Sequence, residues 1–214
     1  MKKTIIITPF KTKRAGDFIA ALLENSEFAD NRICAELGKP LDQESEEVAL
    51  PLELEYLPWH YGSLFAETGA QLSIFNHFSG YPEEVLVVYD TAVFFEAAIK
   101  PRGFSADAIS IMMALPKLLH VLLEENPEPW KLYLLMFKQS QTGIVSETVT
   151  GALAGFCKGL QSAGNSSKVT CSIIEDASGM LPLFASYCIK LFNNSQKESK
   201  NYIFTGKTGL FGKY

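Results

Sequence analysis

No apolar run in this sequence approaches the roughly 18 residues that would cross a bilayer, so no transmembrane helix is expected. The opening M-K-K-T-I-I-I-T-P-F is basic, but its apolar stretch is short and broken by Pro9, which excludes a secretory h-region. Positive charge is not in excess: 19 Lys and Arg stand against 24 Asp and Glu, a net charge of −5. A chain of that balance has no electrostatic reason to seek nucleic acid or an anionic membrane surface. Cysteine is sparse and scattered at Cys34, Cys157, Cys171 and Cys188, with no C-x-x-C and no Cys/His cluster. Neither a metal site nor a disulfide framework is indicated, and the four read as reduced, partly buried thiols of a cytoplasmic protein.

What is present is an alternation of two periodicities. Thr4–Thr8, Asn31–Leu37, Leu52–Leu57, Glu84–Tyr89, Lys131–Phe137, Lys168–Ile174 and Tyr202–Phe204 are short β-branched or apolar runs of strand type. Between them, helical spacing places Phe18, Ile19, Leu22 and Leu23 in a helix over 15–25. A second helix, capped by Ser63, carries Leu64, Phe65, Leu72, Ile74 and Phe75. Ser105 is expected to cap a long helix over 106–125, apolar on more than one face, and a further apolar helix runs from Met180 to Phe192. The order β-α-β-β-α-β-α-β-α-β-α-β predicts an α/β fold over 1–214 as a single domain, a doubly wound, mostly parallel Rossmann-like sheet with helices on both faces.

One helix stands apart. Val145–Leu160 reads V-S-E-T-V-T-G-A-L-A-G-F-C-K-G-L, with Gly151, Ala152, Ala154 and Gly155 among Val149, Leu153, Phe156 and Leu160. Each glycine inside a helix costs about 1 kcal/mol relative to alanine, so some close approach of another backbone is expected to offset that cost.

Three segments in order resemble the short-chain dehydrogenase/reductase family, most closely its 3-oxoacyl-acyl carrier protein reductases. Glu84–Ala92, E-V-L-V-V-Y-D-T-A, is similar to the family's D-x-L-V-N-N-A-G; Thr150–Leu160, T-G-A-L-A-G-F-C-K-G-L, to K-A-A-L-x-G-F-T-K-S-L; and Tyr202–Gly212, Y-I-F-T-G-K-T-G-L-F-G, to the closing Y-I-T-G-Q-x-x-x-V-D-G-G. The resemblance implies a cofactor cleft at the C-terminal ends of the strands.

The departures fall on the chemistry. The family's first turn is T-G-x-x-x-G-x-G, whose glycines let backbone approach a pyrophosphate at a helix N-terminus. Here Thr8 to Gly16 has one glycine, with Pro9 and Phe10 in the turn. Lys11, Lys13 and Arg14 are the residues of this vestigial loop able to attract a phosphate. The family's Tyr-x-x-x-Lys pair, in which the lysine lowers the tyrosine pKa for proton exchange, falls on Ser146 and Thr150. The family's catalytic serine falls near Ser140.

The resemblance therefore implies a non-catalytic homologue serving as a structural or partner subunit in fatty-acid or polyketide ketoreduction, with no catalytic residue, cofactor or metal expected. Its partner would be a second copy or a related ketoreductase, met through helices 106–125 and 145–160, the helices that pair in that family. The alternative is an NAD(P)-dependent oxidoreductase, acting with NADP on 3-oxoacyl thioesters, with Tyr89 as a displaced acid. A binding module lined by Phe10, His60 and Tyr89 is a third reading.

Overall fold

The computed structural model describes residues 1–9, 12–38, 54–91, 104–137, 144–162, 168–194 and 199–206, apart from the side chains of 104–109, 111 and 145. Seven strands form one sheet: β1 (Lys2–Thr8), β2 (Arg32–Gly38), β3 (Glu55–Pro58), β4 (Glu84–Asp90), β5 (Trp130–Phe137), β6 (Val169–Asp176) and β7 (Asn201–Phe204). All pair in parallel in the order β3-β2-β1-β4-β5-β6-β7. The helices among the described residues are α1 (Lys13–Leu23), the single turn α2 (Ser26–Ala29), α3 (Ala66–Phe78), α4 (Phe104–Glu125), α5 (Ile144–Ser162) and α6 (Leu181–Asn193). This is the doubly wound parallel fold, with its switch point between β1 and β4, the position at which such sheets open a crevice beyond the strand ends.

The period of two along each strand sorts the core into two layers. Ile5, Ile7, Val85, Val87 and Tyr89 face α3, α4 and α5, where they meet Ile74, Leu115, Leu118, Val149 and Leu153. Ile6, Leu86 and Val88 face α1, α2 and α6, against Phe18, Phe28, Phe184 and Phe192. Burial on both faces is why the strands read as unbroken apolar runs.

Two expected helix starts are corrected. Ser63 does not cap α3; its hydroxyl donates to the His60 carbonyl at 2.9 Å, and the helix begins at Ala66 after Phe65, whose φ of 64° is left-handed. Leu64 and Phe65 thus precede the helix and, with Leu72 and Phe75, lie exposed. Ser105 lies within the first turn of α4, which starts at Phe104.

Gly38 is the one strand glycine whose lack of a side chain is required by packing. A Cβ there would stand 2.6 Å from the Thr8 carbonyl oxygen and 2.8 Å from the Thr8 Oγ1. Gly38→Ala is expected to cost about 1–3 kcal/mol as β1 and β2 are forced apart, read as a lower urea midpoint at unchanged slope.

All four cysteines are buried. Burial pushes the Cys34 thiol up to about 12, with Arg32 opposing and Glu84 adding to the shift, and burial raises Cys188 as well. A thiol whose pKa is higher folded than unfolded contributes stability that is complete below its unfolded value near 8.5 and is lost as pH rises toward the folded value. Above about pH 8.5 each of these two thiols should lower unfolding free energy by about 1.4 kcal/mol per pH unit. Denaturant midpoints measured at pH 7.5 and pH 10 check this, and Cys188→Ala should flatten the slope.

Candidate functional site

The C-terminal ends of the strands bring together Thr8, Gly38, Asp90, Phe137, Asp176 and Phe204, and over them stands the N-terminus of α1. Thr12 caps that helix: its Oγ1 accepts from the Ala15 amide at 3.1 Å. The same hydroxyl donates to the Asp90 carboxylate, Oδ2, at 2.7 Å. Lys13, Arg14 and Gly16, expected in a loop, instead occupy the first turns of α1. The Lys13 ammonium pairs with Asp17 one turn on, at 2.9 Å. Arg14 reaches across to Asp176 at 3.2 Å, with its guanidinium 4.9 Å above the Phe137 ring. Phe10 and Lys11 lie outside the described residues, as do Ser140, Gly209 and Gly212.

Asp176 is fully buried. Its second oxygen accepts from the amides of Ser178 and Gly179 and from the Ser178 hydroxyl, at 2.7–3.2 Å, so the carboxylate also holds the turn after β6. A third buried carboxylate, Glu36 in β2, accepts from Thr8 Oγ1 at 2.7 Å. Asp90, Asp176 and Glu36 therefore line the edge at which an anionic cofactor would lie. The end of α1 offers an anion about 0.3–1 kcal/mol. A like charge 4 Å away costs about 4 kcal/mol at an effective dielectric of about 20. Among the described residues, the Asp90 carboxylate bonded to the cap of α1 sets a negative charge at the helix end, which disfavours a pyrophosphate there.

The position matching the family tyrosine is also committed. Ser146 is buried and its Oγ donates to the Thr91 carbonyl at 3.3 Å, while Thr91 Oγ1 donates to the Phe137 carbonyl at 2.8 Å. These bonds tie the start of α5 to the ends of β4 and β5. Thr150, at the lysine position, is half-buried, and its hydroxyl neighbours the Tyr89 phenol. Burial drives the Tyr89 pKa far above its ordinary value; the Thr150 contact works against that shift, and the charge of Asp90 adds to it. Tyr89 is 2% exposed and belongs to the α3–α5 layer. His60, by contrast, is exposed, so the two do not share a surface.

Sequence reading singled out Arg14, Tyr89 and Thr150 but missed Thr12, Glu36, Asp90 and Asp176 as an ensemble. A usable signal was present: E-V-L-V-V-Y-D and V-T-C-S-I-I-E-D are apolar strands that each end on aspartate, and Glu36 interrupts another. His77 contacts Glu55 at 2.8 Å and His120 contacts Glu124 at 3.1 Å, so both serve local pairs. Among the described residues no group of three or more His, Cys, Asp or Glu side chains is placed to hold a metal, and no helix is long and apolar enough to cross a membrane. A hollow of about 580 Å³ lies at the opposite pole, lined by Met1, Lys2, Asn31, Glu83 and Asn193, remote from these strand ends.

The architecture is that of short-chain dehydrogenases/reductases. An apo SCOR enzyme from Clostridium thermocellum superposes with a TM-score of 0.66 at 8% identity, covering 99% of this chain and 96% of the other. A short-chain dehydrogenase/reductase from Vibrio parahaemolyticus gives 0.60 at 13% identity over 94% and 100%. BdcA, a protein of E. coli, in its complex with NADPH gives 0.61 at 10% identity over 95% and 93%. No protein-family model matches the sequence, and no curated protein matches it significantly. At these identities the likeness establishes the fold.

Proposed function

We propose that this chain is a non-catalytic short-chain reductase homologue, of the 3-oxoacyl-acyl carrier protein reductase type, that works as a structural or partner subunit in fatty-acid or polyketide ketoreduction. The observation that carries the reading is the Asp90 carboxylate hydrogen-bonded to the cap of α1, where a dinucleotide phosphate would have to sit. Ser146 and Thr150 add to it: neither supplies a phenol or an ammonium, and Ser146 is spent on the backbone of Thr91.

The partner, a second copy or a related ketoreductase, is proposed to meet residues 106–125 of α4 and 145–160 of α5. Gly151, Gly155 and Gly159 recur every fourth residue along one exposed side of α5, and a Cβ on any of them would meet nothing within 4 Å. Among the described residues nothing packs on them to offset their helical cost. A second backbone packed on the ridge would.

One observation favours the alternative of an NADP-dependent reductase: the Tyr89 phenol faces Thr150, the position the family gives to its lysine. A threonine brings no positive charge to lower that pKa, and burial raises it. The assay is NADPH-dependent reduction of an acetoacetyl thioester by the purified chain. No nucleotide consumption is expected; turnover that Tyr89→Phe abolishes would establish the reductase instead.

A further inference from the structure

The pole opposite the strand ends that carry Asp90 and Asp176 gathers the other sign of charge. Side chains alternate along each strand, so Lys2, Arg32, Glu84 and Lys131 lie on the sheet face that also carries Ile6, Cys34, Leu86 and Tyr133. The parallel register sets Lys2 opposite Arg32 and Glu84 opposite Lys131. Three cations therefore surround one carboxylate at the N-terminal edge of the sheet. Glu84 pairs directly with Lys2 and Arg32. Lys131 is half-buried and has no carboxylate partner of its own among the described residues. Arg32 is fully buried, its guanidinium 4.5 Å over the Phe28 ring and 5.9 Å from that of Phe192, and its Nη1 has no hydrogen-bond partner. One carboxylate neutralises one of the three charges, which leaves an excess of two.

This excess lies directly behind an open wall. Lys2 and Asn193 line the hollow of about 580 Å³ at this pole, and each is bonded to the buried pair. The Lys2 ammonium donates to Glu84 at 2.8 Å, and Asn193 Oδ1 accepts from Arg32 Nη2 at 3.2 Å. We infer that the hollow binds a doubly charged oxyanion of the phosphate type, held directly by Lys2 and attracted by the charges of Arg32 and Lys131 beside it. A dianion matches the excess, whereas a monoanion leaves one charge unmatched. Burial, followed by the charges of Lys2 and Arg32, lowers the Lys131 pKa against the pull of Glu84, the expected response of a cation set among cations. Two features oppose an anion: Glu83, on the rim of the hollow, and the carbonyl end of α6 at Asn193. Both are exposed, so solvent and salt screen them more than they screen Arg32.

The experiment follows the urea midpoint of the chain as inorganic phosphate replaces chloride at constant ionic strength. A ligand that binds only the folded state raises the midpoint with saturation. General exclusion of phosphate from protein surfaces raises it without saturation and is blind to single charges. A saturable gain is expected, with the half-point moved by about fivefold or more to higher phosphate in Lys2→Gln and in Lys131→Gln. Glu83→Gln should move it to lower phosphate. Phosphate should also slow acetylation of Lys2 and Lys131 by acetic anhydride while leaving Lys13, exposed on α1, unprotected. Glycerol phosphate distinguishes the source: tighter binding than inorganic phosphate assigns the site to the phosphate group of a larger molecule, and equal or weaker binding assigns it to the free ion. A gain that does not saturate, or a saturable one that both lysine variants leave unchanged, would overturn the inference.

Discussion

Replacing Glu84 by glutamine is expected to lower the unfolding free energy by about 3–5 kcal/mol, the cost of leaving a buried charge without its partner. Glu84 begins β4 at 2% exposure and accepts from Arg32 Nε at 2.8 Å, Lys2 Nζ at 2.8 Å and Thr4 Oγ1 at 3.3 Å. The Arg32 side chain is fully buried, 4.5 Å over the Phe28 ring, and bonds Asn193 at 3.2 Å. Two cations thus converge on one carboxylate, and a third, Lys131, has its pKa lowered by burial and by Lys2 and Arg32, against the opposing pull of Glu84. Glutamine keeps the shape and removes the counter-charge. Because the penalty belongs to the stranded Arg32, the double variant Glu84→Leu with Arg32→Met should lose less than Glu84→Gln alone. Urea unfolding of the three variants measures this; a loss under about 1 kcal/mol for Glu84→Gln would show that the pair contributes little.

The second large effect is on association. A leucine at Gly155 would stand on the exposed ridge of α5, where its Cβ meets none of the described residues within 4 Å. It should abolish pairing with a second copy or a ketoreductase, weakening association at least tenfold in sedimentation. The same site makes the opposite prediction for the isolated chain: Gly151→Ala and Gly155→Ala should each stabilise it by about 1 kcal/mol. Loss of association with gain of stability separates an interface role from a folding role. Unchanged association in Gly155→Leu would remove α5 from the interface.

The fold was largely legible in the sequence because its signals are local. Every strand is marked by its own apolar or β-branched run, and among the described residues the expected order of strands and helices matches the observed one, save for the single turn α2, too short to show a period. Helix starts were less legible: Phe65 enters α3 through a left-handed conformation that no side-chain preference announces. The site was legible mainly as departures. Missing glycines at 8–16 and the residues at 146 and 150 could be read directly. What occupies the strand ends could not, since Thr12 meets Asp90 across 78 positions and Arg14 meets Asp176 across 162. Such pairs depend on strand order, which places β1 beside β4 and brings β6 within reach of α1.

Small residues in α5 are expected to admit another backbone; among the described residues the side bearing Gly151, Gly155 and Gly159 is open, and the sheet is met by Val149, Leu153, Cys157 and Leu160.

The central claim is that carboxylates and their own partners hold the strand ends where a dinucleotide would bind. Calorimetric titration of NADPH into the purified chain tests it most directly. The account predicts no saturable binding tighter than about 1 mM, equivalent to about −4 kcal/mol. Saturable binding at micromolar NADPH would contradict it.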